Sequence, residues 1–135
     1  MLEEPILVSA VTAYLVLVAL LIGSFINLAA DRLPRGESVV RPRSHCRSCG
    51  RVLDAVDLIP IGGYLIRGGR CASCRASIGI SSPAVEALCG AAMLASVAAM
   101  GPWRGAALGF AALSMLGGIV LRVALRRAKR GSQPG

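Results

Sequence analysis

Charge is missing from two long stretches of this sequence, and its absence excludes an ordinary soluble domain. The twenty-six residues from Pro5 to Ala30 carry no Asp, Glu, Lys or Arg, and between Ala87 and Leu121 the only charge is Arg104. A helix at a protein–water boundary keeps one polar face; neither stretch offers one. Aromatic residues are also scarce, at 4% of the chain, and the polar middle of the sequence has only Tyr64. The formal net charge of +8 therefore lacks the stacking residues that single-stranded nucleic acid requires, and nucleic acid is not an expected partner. Acids run out early: no aspartate follows Asp57, and Glu86 is the only acid beyond it. No glycine-rich loop of the kind nucleotide-like cofactors use follows a strand.

What remains is a membrane protein, mostly α. The first apolar run exceeds the roughly twenty residues that cross about 30 Å of hydrocarbon. A cleaved signal is not expected: the residues before it are Glu3 and Glu4, where a signal carries positive charge, and it is about twice the length of a signal's apolar region. The second run is too long for one span and divides at Gly101-Pro102-Trp103-Arg104. Gly and Pro stop a helix there, and Trp and Arg suit a membrane–water boundary. Its halves, Ala87 to Met100 and Gly105 to Leu121, are short, but flanking residues and a start before Glu86 extend them. Three transmembrane helices are expected, with a two-helix or re-entrant arrangement as the alternative.

Nine arginines lie between Asp31 and Ser82, and Arg122, Arg126, Arg127, Lys129 and Arg130 follow the last apolar run. By the bias of basic residues toward the inner face, the loop and the C-terminus are cytoplasmic and the N-terminus is outside. The basic excess would favour anionic lipid headgroups at that face. The expected division is 1–30, a transmembrane helix; 31–82, a cytoplasmic loop; 83–122, two further transmembrane helices; and 123–135, a basic disordered tail.

That topology decides how the cysteines read. Cys46-Arg-Ser-Cys49 and Cys71-Ala-Ser-Cys74 are two CxxC pairs, and each two-residue gap lets one tight turn present two sulfurs about 2.3 Å from a single Zn²⁺. Two disulfides are the competing reading, and a reducing cytoplasm disfavours them. Cys46, Cys49, Cys71 and Cys74 are thus the candidate ligands of a structural Zn²⁺ in a small zinc ribbon. So few residues form no core, and the metal would supply the folding energy. Gly50 after the first pair can take the positive φ such turns need, whereas the second pair has Arg75 there. His45 to Leu53 echoes Arg70 to Ile78. Between the pairs, Val52-Leu53 and Tyr64-Leu65-Ile66 read as short strands around Pro60-Ile-Gly-Gly63. Cys89, among small residues, reads as a packing residue.

Other positions carry weaker expectations. Pro34 and Gly36 predict a turn after the first helix. Ala19 and Gly23, Ala87, Ala91, Ala95 and Ala99, and Gly105 and Gly109 predict close helix approaches, within the chain or with a partner. Asn27 faces either interfacial water or a neighbouring helix or substrate. Asp54 and Asp57 read as solvated loop charges. Ser82, Pro83 and Glu86 read as a helix start, with Ser82 at the cap and the helix beginning at Pro83, so that the helix dipole and interfacial depth account for Glu86, with a functional role as the alternative.

Taken in order, Gly23-Ser-Phe-Ile-Asn27, Arg32-Leu-Pro-Arg-Gly36, Ser38-Val-Val-Arg-Pro-Arg-Ser44, the first CxxCG, Asp57-Leu-Ile-Pro60, Arg67-Gly68, the second CxxC and Ser82-Pro-Ala-Val-Glu86 closely resemble the N-terminal domain of bacterial type IV prepilin peptidases. The resemblance covers about Gly23 to Glu86. It implies an inner-membrane location, a zinc-bearing cytoplasmic loop with those four cysteines as ligands, and prepilin or pseudopilin leader peptides as partners. Family members cut such leaders and commonly methylate the new N-terminus with S-adenosylmethionine.

The family's proteolysis depends on two aspartates, one in a GxGD motif, in its later transmembrane half. An acid–base pair of split pKa needs both. No residue here matches either, so no catalytic residue is assigned and this polypeptide alone is expected not to cleave prepilins. The leading expectation is an accessory or split partner to a catalytic-half peptidase. A retained methyltransferase half using S-adenosylmethionine, and a membrane-anchored zinc adaptor, are the alternatives.

Overall fold

The computed structural model describes residues 3–131. Helix α1 spans Glu3–Arg32; at about 1.5 Å per residue it exceeds the thickness of a bilayer core. It ends where the sequence places the turn. Pro34 sits in a 3-10 turn, Leu33–Arg35, and Gly36 adopts φ 69° and returns its N–H to the Leu33 carbonyl at 3.0 Å. The loop that follows holds one short helix, α2, Gly62–Ile66, and two isolated antiparallel bridges, His45 with Val52 and Arg70 with Ser77.

The expected strand at 64–66 is therefore helical. Gly62 and Gly63 allow a tight start: a Cβ on Gly63 would lie 2.6 Å from the Val56 carbonyl oxygen, closer than a strand residue's side chain permits. Val52 keeps its extended role, in a single bridge.

Helix α3, Ser81–Gly131, is interrupted at Gly101, whose φ of 78° and ψ of 172° are not helical, with Pro102 next. Its two arms, 81–100 and 102–131, run antiparallel. A Cβ on Gly105 would lie 2.4 Å from Val97 Cα, and one on Gly109 would lie 2.5 Å from Met93 Sδ. In a straight helix eight residues separate by about 12 Å, so these contacts exist only because the chain turns back. The other close approach is to α1: a Cβ on Gly23 would lie 2.9 Å from Glu86 Cα, one on Gly90 2.8 Å from Leu20 Cδ2, and one on Gly117 3.2 Å from Ile26 Cδ1. The result is three rods packed on a small core of Ala19, Cys89, Met93, Val97 and Leu113.

Among the described residues, two helical elements, α1 and α3, are long and apolar enough to cross a membrane. Their outward surface is apolar, with Leu17, Leu21, Phe25, Leu88, Leu94, Met115 and Ile119 exposed.

Three local expectations change or narrow. Ala87, Ala91, Ala95 and Ala99 all face outward, so they make no close approach within the chain; the inward face of the first arm is Glu86, Cys89, Gly90, Met93 and Val97. Gly90 admits α1 closer than an alanine would, and that decides which small-residue face turns in. Helix α3 begins at Ser81, not Pro83, because the Ile80 carbonyl accepts from Ala84 at 3.1 Å; Ser82 bonds the Glu86 side chain rather than capping the backbone. Residues 123–131, expected as disordered tail, are helical. Their Leu, Ala, Arg and Lys are strong helix formers, and basic side chains complement the negative end of the dipole. Residues 132–135 of that tail lie outside the described residues.

Candidate metal centre

Each CxxC pair folds into the same backbone knuckle. In the first, the Cys46 N–H donates to Arg51 O at 2.8 Å, Gly50 N–H returns to Cys46 O at 2.8 Å and Leu53 N–H reaches Ser44 O at 2.9 Å. In the second, Cys71 N–H donates to Ala76 O at 2.9 Å, Arg75 N–H to Cys71 O at 3.1 Å and Ile78 N–H to Gly69 O at 2.7 Å. The sequence echo is thus a structural repeat, bond for bond. Gly50 sits at φ 72°, and Arg75, without glycine's freedom, takes φ 59° at the same place. The knuckle enforces the conformation whichever residue is present.

The four sulfurs lie within 4.8 Å of one another. Cys46 Sγ is 3.7 Å from Cys74 Sγ, and Cys49 Sγ is 3.9 Å from Cys71 Sγ. A tetrahedron with bonds of about 2.3 Å to sulfur has edges of about 3.8 Å, whereas a disulfide would bring two sulfurs to about 2.05 Å. All four thiols are free, and the donor set fits a metal ion. The turn at the first cysteine of each pair favours the thiolate a metal requires, whereas at Cys74 the Ala76 backbone N–H is outweighed by loss of water and by hydrogen bonds with Cys49, Cys46 and Cys71, which push the thiol up to about 11. Backbone N–H groups of Cys49 and Ser48 lower the Cys46 thiol to about 6, and those of Cys74 and Ser73 lower Cys71. Cys71 is buried, and Cys49 and Cys74 are exposed. Cys89 is far down the bundle core and takes no part.

Beside the knuckles lies an arrangement that sequence reasoning missed. Asp57, expected to be solvated, has a side chain only 6% exposed. It accepts from Arg51 Nη1 and Nη2, both at 2.7 Å, and from Arg67 Nε at 2.8 Å. Asp54 accepts from Arg51 Nη2 at 2.9 Å and Arg67 Nη2 at 2.8 Å. The two aspartates also accept each other's backbone N–H, at 3.0 and 3.1 Å. The Asp57 backbone N–H, then Arg51 and Arg67, hold the Asp54 carboxyl down at about 2. Asp54 and Asp57 are therefore structural fasteners tying the first knuckle to the end of α2. The available signal was an Asp-x-x-Asp with an arginine three residues before it.

Arg32 is a second omission. It is buried, and its Nη1 donates to the carbonyls of Ser38 and Pro42, both at 2.9 Å, so the end of α1 shapes the lead into the first knuckle. Asp31 pairs with Arg35 at 2.8 Å and with Arg47 of the knuckle.

Glu86 is also buried, and more than the helix dipole explains it. Its Oε2 accepts the Ile61 backbone N–H at 2.6 Å and its Oε1 the Ser82 hydroxyl at 3.1 Å. It borders a cavity of about 410 Å³ between α1 and the loop, lined also by Ser24, Phe25, Asn27, Ile59 and Tyr64. A second space of about 340 Å³, shared by Asn27, Asp31, Arg51 and Cys46, lies against the knuckles. Asn27 thus lines two partly open clefts between helix and loop.

The family described as Bacterial Peptidase A24 N-terminal domain matches residues 17–100, a span holding all four cysteines, both knuckles and Glu86. The chain belongs to the type IV prepilin peptidase N-terminal domain family. Among its relatives are proteins named prepilin leader peptidase/N-methyltransferase. That of Myxococcus xanthus is 40% identical over 77 residues, covering 57% of this chain and 23% of the relative. That of Bacillus subtilis is 42% identical over 67 residues, covering 50% and 27%. That of Burkholderia pseudomallei is 32% identical over 121 residues, covering 71% and 39%. The chain spans a quarter to two fifths of these relatives' length. No solved structure matches.

Proposed function

We propose that this chain is the membrane-embedded, zinc-bearing N-terminal module of an inner-membrane prepilin-processing system. The observation that carries this reading is the cluster of Cys46, Cys49, Cys71 and Cys74 on two equivalent knuckles, inside the span the peptidase family matches. Zn²⁺ would be structural: thiolate sulfur is its preferred ligand and four ligands leave no open position. The helices α1 and the two arms of α3 would be three spans, with the loop and C-terminus cytoplasmic and the N-terminus outside, as the basic residues favour. The module would meet prepilin or pseudopilin leaders at that face. The peptidase carboxylate pair would come from outside these 135 residues, whose only acid after Asp57 is Glu86.

The test is expression of the chain with and without a GxGD-bearing catalytic half, in a strain deleted for its own prepilin peptidase, with cleavage and methylation scored separately. Cleavage only when both are present, and co-purification of the two, is the expected result. Cleavage by this chain alone would overturn the division of labour. Methyl transfer by this chain alone to a pre-cleaved pilin, lost in Cys46→Ser, would assign it the methyltransferase half.

A further inference from the structure

The loop between α1 and α3 is dense in charge except from Leu58 to Ile66, nine consecutive uncharged residues, LIPIGGYLI. The charged residues bounding this stretch are bonded to each other: Arg67 Nε donates to Asp57 Oδ1 at 2.8 Å. The uncharged segment therefore leaves and re-enters the polar loop through one ion-paired neck. Ile61 and Tyr64 are half-buried, but its four other large side chains do not turn inward. Leu65 is 70% exposed and Ile66 65%, with Leu58 and Ile59 about half exposed.

The segment sits beside the apolar part of the helices, not beyond their ends. Ile59 and Tyr64 share a cavity with Leu21 and Phe25 of α1. Phe25 lies six residues before Asp31, about 9 Å inside the charged end of α1, against a half-thickness of hydrocarbon of about 15 Å. Leu21 and Phe25 are themselves about half exposed, so the segment continues the outward apolar surface of the bundle.

Its backbone N–H groups find partners within the protein, as a low-dielectric setting favours. The N–H groups of Leu58, Ile59, Gly62, Gly63 and Leu65 bond carbonyls of the same loop. The N–H of Ile61, at φ 57°, is taken by the buried Glu86 carboxylate. Water would serve that amide in a solvated loop; here α3 supplies a side chain for it.

From this placement we infer that residues 58–66 form a wedge inserted into the inner-leaflet boundary, with Leu65 and Ile66 among lipid acyl chains. The inference rests on the membrane reading above. Lipid is the occupant because the wedge is continuous with the apolar surface of α1, and because the polar loop around it is rich in arginines such as the exposed Arg70, which suit anionic headgroups.

The chain's single tryptophan, Trp103, makes the test direct. Full-length protein is reconstituted in liposomes as Trp103→Phe carrying either Leu65→Trp or, as a mid-span reference, Leu17→Trp. Ile66→Trp repeats the measurement should Leu65→Trp fold poorly. The tryptophan at 65 is expected to lose most of its intensity to lipids brominated near the top of the acyl chain, less to lipids brominated near its end, and little to aqueous iodide. Quenching by iodide with none by brominated lipid would overturn the wedge while the reference remains lipid-quenched. Protection from both quenchers would also overturn it, by showing a protein cover instead of lipid. A reference at 17 untouched by brominated lipid would overturn the membrane reading and the wedge together.

Discussion

Ile61 donates its backbone N–H to Glu86 Oε2 at 2.6 Å, joining the middle of the loop between α1 and α3 to the first turns of α3. Ile61 is the centre of a γ-turn, with φ 57° and ψ −47°, a conformation costly for a β-branched residue. The bond to a buried carboxylate holds it there.

Glu86→Ala leaves the Ile61 amide and the Ser82 hydroxyl without their acceptor in a buried setting, at an expected cost of about 1–3 kcal/mol. Glu86→Gln keeps one carbonyl oxygen for Ile61 and is expected to cost less. Thermal unfolding of both variants in detergent checks the order; equal melting temperatures for Glu86→Ala and the unmodified chain would remove Glu86 from this role.

The arms of α3 depend on Gly105. Its Cβ would meet backbone at 2.4 Å, so Gly105→Ala must separate the arms and is expected to destabilise by roughly 1–3 kcal/mol. Gly118 has nothing within 4 Å, and Gly118→Ala is expected to be neutral or to stabilise by up to about 1 kcal/mol. Comparing the two variants by thermal unfolding separates helix contact from helix propensity.

Asp57→Asn removes the charge between two arginines whose side chains are only 22% and 26% exposed, and roughly 3 kcal/mol is expected. Asp54→Asn, at a carboxylate 48% exposed, is expected to cost much less, because water screens exposed ion pairs. Protease sensitivity of the loop reports both, and equal effects would contradict the burial difference.

Acid should loosen the same cluster in a defined window. The Asp54 carboxyl is held below its ordinary 3.8, at about 2, so its contribution is complete above the unfolded value. It is lost as pH falls from about 4 toward 2. Because Asp54→Asn has already removed the titrating group, its loop should show a shallower decline across that window, followed by hydrogen exchange.

Metal content has its own expectation. The purified chain should carry about one Zn²⁺, lost on Cys46→Ser or Cys74→Ser and kept on Cys89→Ala, as measured by elemental analysis. Chelation should expose the loop to protease while the helices keep their far-ultraviolet signal, because the knuckles have no apolar core of their own.

The four cysteines were legible because CxxC is a local device: two residues between thiols set one turn, whatever surrounds it. The turn at Pro34 and Gly36, and the break at Gly101-Pro102, were legible for the same reason. The small residues at 19, 23, 105 and 109 also packed as their spacing predicts. What escaped reading was pairing between distant or sequence-neutral groups. Nothing local distinguishes Ala91, which faces outward, from Gly90, which meets Leu20. A strand at 64–66 fitted the apolar pattern, yet Gly62-Gly63 needed a helical start against the 56–57 carbonyls.

By itself the sequence determined apolar rods too uncharged for water, a basic polar loop and two matching CxxC knuckles, since each follows from residues close in the chain. Only the tertiary structure decided that Asp57 is buried between Arg51 and Arg67, that Glu86 reaches back to Ile61, and that residues 58–66 lie beside α1. Those outcomes depend on which surfaces the three rods leave free at the loop's end, and that is fixed by close backbone approach at Gly23 and Gly105 and by the Leu20 side chain seated on Gly90.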